Sequence, residues 1–207
     1  SRGLECLILS FNGITKEGMK KLGASFNGYH SLKKVDLDNN KIENDGADAL
    51  SDAVQHMSIQ VLNVAFNNIE SRGLRRIAQV VCASSSVTGL SLSGNKISSD
   101  VAGDVHNLVL NSRILRVLAL DCHSVGEAGQ IQIASGIAGN SQSALEKFNG
   151  FLLGPALVQL GSPPELAPLT NEKCLLYLRT LWKDAQREFG GPGGGGGVQS
   201  GGGGSGR

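Results

Sequence analysis

Three stretches of the chain carry side chains whose types and spacing could do chemistry. Asp36-Leu37-Asp38-Asn39-Asn40 reads D-x-D-x-N, the opening of a calcium loop in which alternate oxygens converge on the cation. Such a loop needs glycine at its sixth position and a bidentate glutamate at its twelfth, and those positions hold Lys41 and Ala47. Calcium is excluded. Gly13-Ile14-Thr15-Lys16-Glu17-Gly18 has the glycine spacing of a phosphate-cradling loop, but it continues Met19-Lys20 where Lys-Ser/Thr would have to hold phosphate and magnesium. Cys122-His123 sets two metal-ligand types side by side without the further ligands that zinc requires. No serine sits in a G-x-S-x-G elbow, and no paired carboxylates stand out. The expectation is a protein that is not an enzyme, with no cofactor and no metal.

Composition narrows the partners. The 207 residues carry 19 Lys+Arg against 18 Asp+Glu, and aromatic residues are 4%. A chain with neither a basic excess nor aromatic platforms is not built for nucleic acid. Cys6, Cys82, Cys122 and Cys174 are spread out and never form C-x-x-C, and no N-x-[ST] sequon occurs. The longest nearly apolar stretch, Phe151 to Leu160, is too short to span a bilayer, so no membrane insertion is expected and a cytoplasmic location is. Glycine is 29 of 207, and 12 of these lie between Gly190 and Arg207, a tail expected to be disordered because it has almost no apolar area to bury. The opening Ser1-Arg2-Gly3-Leu4 is neither a signal peptide nor a start methionine, and a fragment that continues upstream is expected.

The elements that position these residues follow from a repeat. Leu4, Leu7, Leu9, Asn12 and Ile14 read L-x-x-L-x-L-x-x-N-x-I. The pattern returns as Leu32, Val35, Leu37, Asn40, Ile42, then as Ile59, Leu62, Val64, Asn67, Ile69, and as Val87, Leu90, Leu92, Asn95, Ile97. A fifth copy, Leu115, Leu118, Leu120, His123, Val125, has histidine in the asparagine slot. The slots Asn12, Asn40, Asn67, Asn95 and His123 are 28, 27, 28 and 28 residues apart. Five copies in one register exclude chance. Each copy opens with the two-residue alternation of a half-buried strand. Helical periodicity follows, as in Ala47, Leu50, Val54 and in Leu74, Ile77, Ala78, Val81. Gly18, Gly46, Gly73 and Gly129 recur four residues after the Ile slot, where a side chain would crowd the next coil; Val101 replaces the glycine in the fourth copy, which is expected to shift that helix slightly. The slot residues are read as structural, their side chains bonding backbone groups where the chain leaves the strand.

This pattern resembles the leucine-rich-repeat family, in its ribonuclease-inhibitor type of about 28 residues per unit, as in ribonuclease inhibitor, Ran GTPase-activating proteins and NOD-like receptors. The resemblance implies an α/β solenoid: a right-handed horseshoe arc with parallel strands on the concave face and helices on the convex face. The repeats are expected over residues 1–154, about five and a half units, ending in a degraded copy at Leu145 and Phe148 that Pro155 stops. An extended Pro-rich connection and a helix capping the core, starting after Thr170 and including Trp182, are expected over 155–189, before the tail at 190–207. Pro163-Pro164-Glu165 and Cys174 to Arg179 resemble the segment that follows the repeats in Roco proteins.

Strand residues that do not enter the core must point to the concave face. Ile8, Asp36, Asn63, Ser91 and Ala119 fall in one lateral row, and Cys6, Ser10, Lys34, Asp38, Val61, Ala65, Gly89, Ser93, Val117 and Asp121 share the face, with Phe11, Phe66 and Phe151 near its margin. Ile8, Lys34, Asp36, Asp38, Asn63, Ser91 and Asp121 are the candidate partner-binding residues. The expected function is a scaffold that binds a protein partner on this face. Two alternatives stay open, regulation of a small GTPase, which a loop arginine near the start of the array would favour, with Arg2 and Arg72 as the early candidates, and a passive spacer in a larger protein.

Overall fold

The computed structural model describes residues 3–26, 30–120, 125–140, 142–148 and 151–152. Strand and helix alternate along the chain: β1 (Cys6–Ile8), α1 (Lys16–Ser25), β2 (Lys34–Asp36), α2 (Glu43–Val54), β3 (Val61–Asn63), α3 (Ser71–Ala83), β4 (Gly89–Ser91), α4 (Ala102–Asn111), β5 (Val117–Ala119), α5 (Gly126–Gly139), β6 (Lys147–Phe148) and β7 (Phe151–Leu152). The strands form one sheet in sequence order, and β1 to β6 pair in parallel. This is the α/β solenoid that the resemblance implies.

Neither element type could stand alone. Strands of two or three residues lack the pairing to persist in water, and isolated helices of 10 to 14 residues are marginal. Stacking supplies what they lack. The central strand residues Val35, Leu62, Leu90 and Leu118 and the following Leu37, Val64, Leu92 and Leu120 enter one core with helix residues such as Leu50, Leu74, Ile77, Val105, Leu108 and Ile133. Each fully buried aliphatic side chain contributes about 1.5–3 kcal/mol. The first repeat is the exception: Leu4 is 44% exposed, and Leu7 and Leu9 are only half-buried.

The slot asparagines bind one coil to the next. Asn40 donates through Nδ2 to the carbonyls of Leu9 (2.9 Å) and Leu37 (2.8 Å), while its Oδ1 accepts the backbone N–H of Asn12 (3.2 Å) and Ile14 (2.9 Å). Asn95 makes the same four bonds two coils further on, and Asn67 between them donates to the carbonyls of Leu37 and Ala65 and accepts the Ile42 N–H at 3.4 Å. Asn12 is exposed and its Nδ2 donates only locally, to the Ser10 carbonyl. His123, in the fifth slot, lies outside the described residues.

Helix starts are handled differently from coil to coil. Thr15 caps α1 by accepting the Gly18 N–H at 3.3 Å. Helix α3 has no cap of its own, and Asn44, on the first turn of α2, supplies one from the neighbouring coil: its Oδ1 accepts the N–H groups of Glu70 and Gly73, both at 3.0 Å. A Cβ on Gly73 would stand 2.8 Å from that oxygen and 3.0 Å from Ala47 Cβ, and one on Gly46 would stand 3.2 Å from Met19 Cβ. The recurrent glycine therefore yields space to the preceding coil, not to the next one. In the fourth copy Val101 fills this position and is buried; the chain makes a 3₁₀ turn over Ser99–Val101, and α4 begins only at Ala102.

Parallel pairing ends at β6. Strand β7 runs antiparallel to it with Phe148 opposite Phe151, leaving two residues, Asn149 and Gly150, between the paired positions. Asn-Gly is a strong two-residue hairpin signal. The connection at 155–189, with Trp182, and the tail at 190–207 lie outside the described residues.

Candidate protein-interaction surface

The alternation that buries Leu62, Leu90 and Leu118 turns Val61, Gly89 and Val117 to the sheet face opposite the helices. The strand register fixes two lateral rows on this open face. One runs Ile8, Asp36, Asn63, Ser91, Ala119, and the other runs Cys6, Lys34, Val61, Gly89, Val117, Lys147. Over strands β2 to β5 the rows line a groove of about 460 Å³.

The first row is largely tied to itself. Oδ1 of Asp36 accepts from Ser10 Oγ (3.0 Å), Asn63 Nδ2 (3.0 Å) and the Asp38 backbone N–H (3.2 Å). Asn63 Oδ1 in turn accepts the Ala65 N–H at 3.1 Å. Asp36 thus bridges three consecutive coils, a role that its sequence position alone did not disclose. Asp38 accepts the Asn39 amide at 3.0 Å through Oδ2, while its Oδ1 is buried without a partner. Ala65, assigned to this face by alternation, is buried, because the chain has already begun to turn inward. Ile8 is 62% exposed at the first strand, and Ser91 is half-buried. Asp121 lies outside the described residues.

The second row is the more open to a partner. Val61 and Val117 are both more than a third exposed, and between them Gly89 presents no side chain. A Cβ added at Gly89 would meet only Val61, at an ordinary 3.6 Å, so glycine leaves a notch rather than relieving a clash. At the groove's edge Arg116 Nε donates to Glu146 Oε1 at 3.0 Å. Lys34 and Lys147, the members of this row on β2 and β6, are exposed and form no ion pair among the described residues. Sequence reasoning placed Val61, Gly89 and Val117 on this face but chose its site residues mainly from the charged and polar positions. The signal was present: aligning the first strand positions of successive copies gives Lys34, Val61, Gly89, Val117 directly.

Two aromatics stand at the margin. Phe11 and Phe66 are 76% and 53% exposed, with φ of 59° and 50°. The equivalent residues Asn39 and Gly94 have φ of 52° and 69°, so each of these four coils makes the same left-handed step just before the slot asparagine.

The helical side is held by ion pairs. Arg72 donates to Asp45 and Asp48, both at 2.6 Å, Arg76 to Asp52 at 2.7 Å, and Arg75 to Asp104 at 2.9 Å. Helix α3 is thereby strapped to α2 and α4. Arg72, a candidate loop arginine in the sequence, is a helix residue engaged by two aspartates, and Arg2 lies outside the described residues. Desolvation raises the Cys82 thiol pKa, which disfavours the reactive thiolate. Among the described residues no three His, Cys, Asp or Glu side chains gather as a metal site, and no helix is long and apolar enough to cross a membrane.

A family model described as leucine rich repeat matches residues 1–23, 30–51 and 55–78. Among curated proteins, the chain is 30% identical over 98 residues to NACHT, LRR and PYD domains-containing protein 13 of Homo sapiens, covering 47% of this chain and 9% of that protein. It is 26% identical over 99 residues to RAN GTPase-activating protein 2 of Arabidopsis thaliana, covering 47% of this chain and 18% of that protein. The chain spans less than a fifth of either relative's length. Among solved structures it resembles Leiomodin-1 Actin-Binding Site 2, with a TM-score of 0.57 at 16% identity over 65% of this chain and 79% of that one. The tropomodulin C-terminal domain of Caenorhabditis elegans gives 0.57 at 16% identity over 68% and 86%. At that identity the likeness is one of fold.

Proposed function

This chain is a leucine-rich-repeat protein of the ribonuclease-inhibitor type, and from that premise we propose that it is a non-enzymatic interaction module whose open sheet face receives a protein partner. The observation that carries this reading is the groove over β2 to β5, where exposed Val61 and Val117 flank the side-chain-free Gly89 on a face that no helix covers among the described residues. Water is displaced from valine surface at a gain of roughly 25 cal/mol per Å², and the rigid sheet loses little entropy when a partner docks. Solenoids present such faces as extended binding surfaces.

Affinity enrichment from cells tests it, with the parent chain compared against an Asn63→Arg/Ser91→Arg variant that fills the face with two long cations. A partner held by the parent and lost by the folded variant supports the reading. An unchanged set of partners contradicts it.

A second reading, regulation of a small GTPase, is favoured by the likeness to RAN GTPase-activating protein 2. Arg72 is poorly placed to serve it, since both arms of its guanidinium are held by Asp45 and Asp48. Accelerated GTP hydrolysis by any member of a panel of Ras-like GTPases would establish that reading against the passive interaction module.

A further inference from the structure

The open-face reading leaves the partner's chemistry unstated, and the second row of the groove supplies it. Resting on that reading, we infer that the groove takes a protein segment with an apolar side chain flanked on both sides by carboxylates, laid across strands β2 to β6. The apolar side chain seats in the notch over Gly89 between Val61 and Val117, and the carboxylates meet Lys34 and Lys147.

Charge selects this occupant. The acidic groups of the groove are already engaged: Asp36 accepts three donors and Glu146 accepts Arg116. Lys34, which lines the groove, and Lys147, one strand beyond it on β6, are exposed and without an ion pair among the described residues. Across β2 to β6 the face carries Lys34, Arg116 and Lys147 against Asp36 and Glu146, a net charge of +1, so an incoming carboxylate gains more there than an incoming cation does. Four steps of strand register separate Lys34 from Lys147, through Val61, Gly89 and Val117, so the two stand about 19 Å apart along the sheet. That distance matches about 13 residues of helix or about 6 of extended chain, with the notch midway. Gly89 decides the fit, because it alone in the row has no side chain and its buried backbone forms the floor between Val61 and Val117; its φ lies outside the left-handed region, so a side chain there is tolerated by the fold but fills the seat.

The test selects a displayed library of random peptides about 16 residues long, sufficient for either conformation, on the full 207-residue chain. Recovered peptides are expected to carry a central apolar residue with Asp or Glu on both sides. Their affinity should fall at least about tenfold on Lys34→Glu/Lys147→Glu, the loss of two exposed ion pairs, and by a similar factor on Gly89→Trp, with circular dichroism and thermal midpoint of each variant unchanged. Peptides with Lys exchanged for their acidic residues should bind the Lys34→Glu/Lys147→Glu variant better than the parent, a reversal that loss of folding cannot produce. Binders without acidic flanks that are still lost on Asn63→Arg/Ser91→Arg would overturn this inference and leave the open-face reading intact. Binders indifferent to all three variants, or no binders, would overturn both. Self-association of the chain that disappears on Gly89→Trp would assign the groove to a second copy instead.

Discussion

The backbone N–H of Asn67 donates to the side-chain oxygen of Asn95, 28 residues further on, at 3.0 Å. The same oxygen accepts the Ile69 N–H at 3.0 Å, and the Asn95 Nδ2 donates to the carbonyls of Val64 and Leu92 at 3.0 and 2.8 Å. One buried carboxamide thus satisfies four backbone groups drawn from two coils. Removing it strands them in the core, where each unsatisfied group costs about 1–3 kcal/mol.

Asn95→Ala should therefore lower stability by at least about 3 kcal/mol in urea titration. Asn12→Ala should cost less than about 1 kcal/mol, because Asn12 is exposed and its side chain serves a single local carbonyl. Equal losses at the two positions would contradict the inter-coil role of the buried slot.

Phe66 and Gly94 are coupled through space. A Cβ on Gly94 would stand 2.2 Å from the Phe66 ring, and Gly94 has a φ of 69°. Gly94→Ala should cost about 1–3 kcal/mol from backbone strain and the displaced ring together. In the Gly94→Ala/Phe66→Ala double variant the clash is gone and only the strain remains, so the two losses should combine to less than their sum. Strict additivity in a double-mutant cycle would show that the ring does not rest on Gly94.

Much of this was legible in the sequence, and the limits have physical causes. Two-residue alternation told Leu62 from Val61, and the fixed spacing of Asn40, Asn67 and Asn95 gave the register of the sheet, because both depend only on local geometry repeated in order. The cap that Asn44 gives α3 was not legible, since the two partners sit in different coils and neither has a diagnostic neighbour. The three donors on Asp36 were hidden for the same reason. The notch at Gly89 was written in the alignment of Val61, Gly89 and Val117, yet small and apolar residues draw less notice than a charge.

Acid should expose the network around Asp100. Hydrogen bonds from Ser71 and Ser98, and then the nearby Arg75, hold the Asp100 carboxyl below its ordinary range. A depressed folded-state value means that the contribution is present above the unfolded value of about 4 and is lost as pH falls through the folded one. Asp100→Asn should thus melt below the parent near neutral pH, with the gap closing as the pH drops below about 4. A gap that stays constant down to pH 2 would contradict this assignment.

The central claim is that a protein partner docks on the open sheet face. Photo-crosslinking residues at Ser91, on that face, and at Gln79, exposed on α3, offer the most direct comparison in cells. A discrete partner adduct is expected from position 91, lost on Gly89→Trp, and none from position 79. Adducts from position 79 alone, or from both positions equally and unaffected by Gly89→Trp, would contradict it.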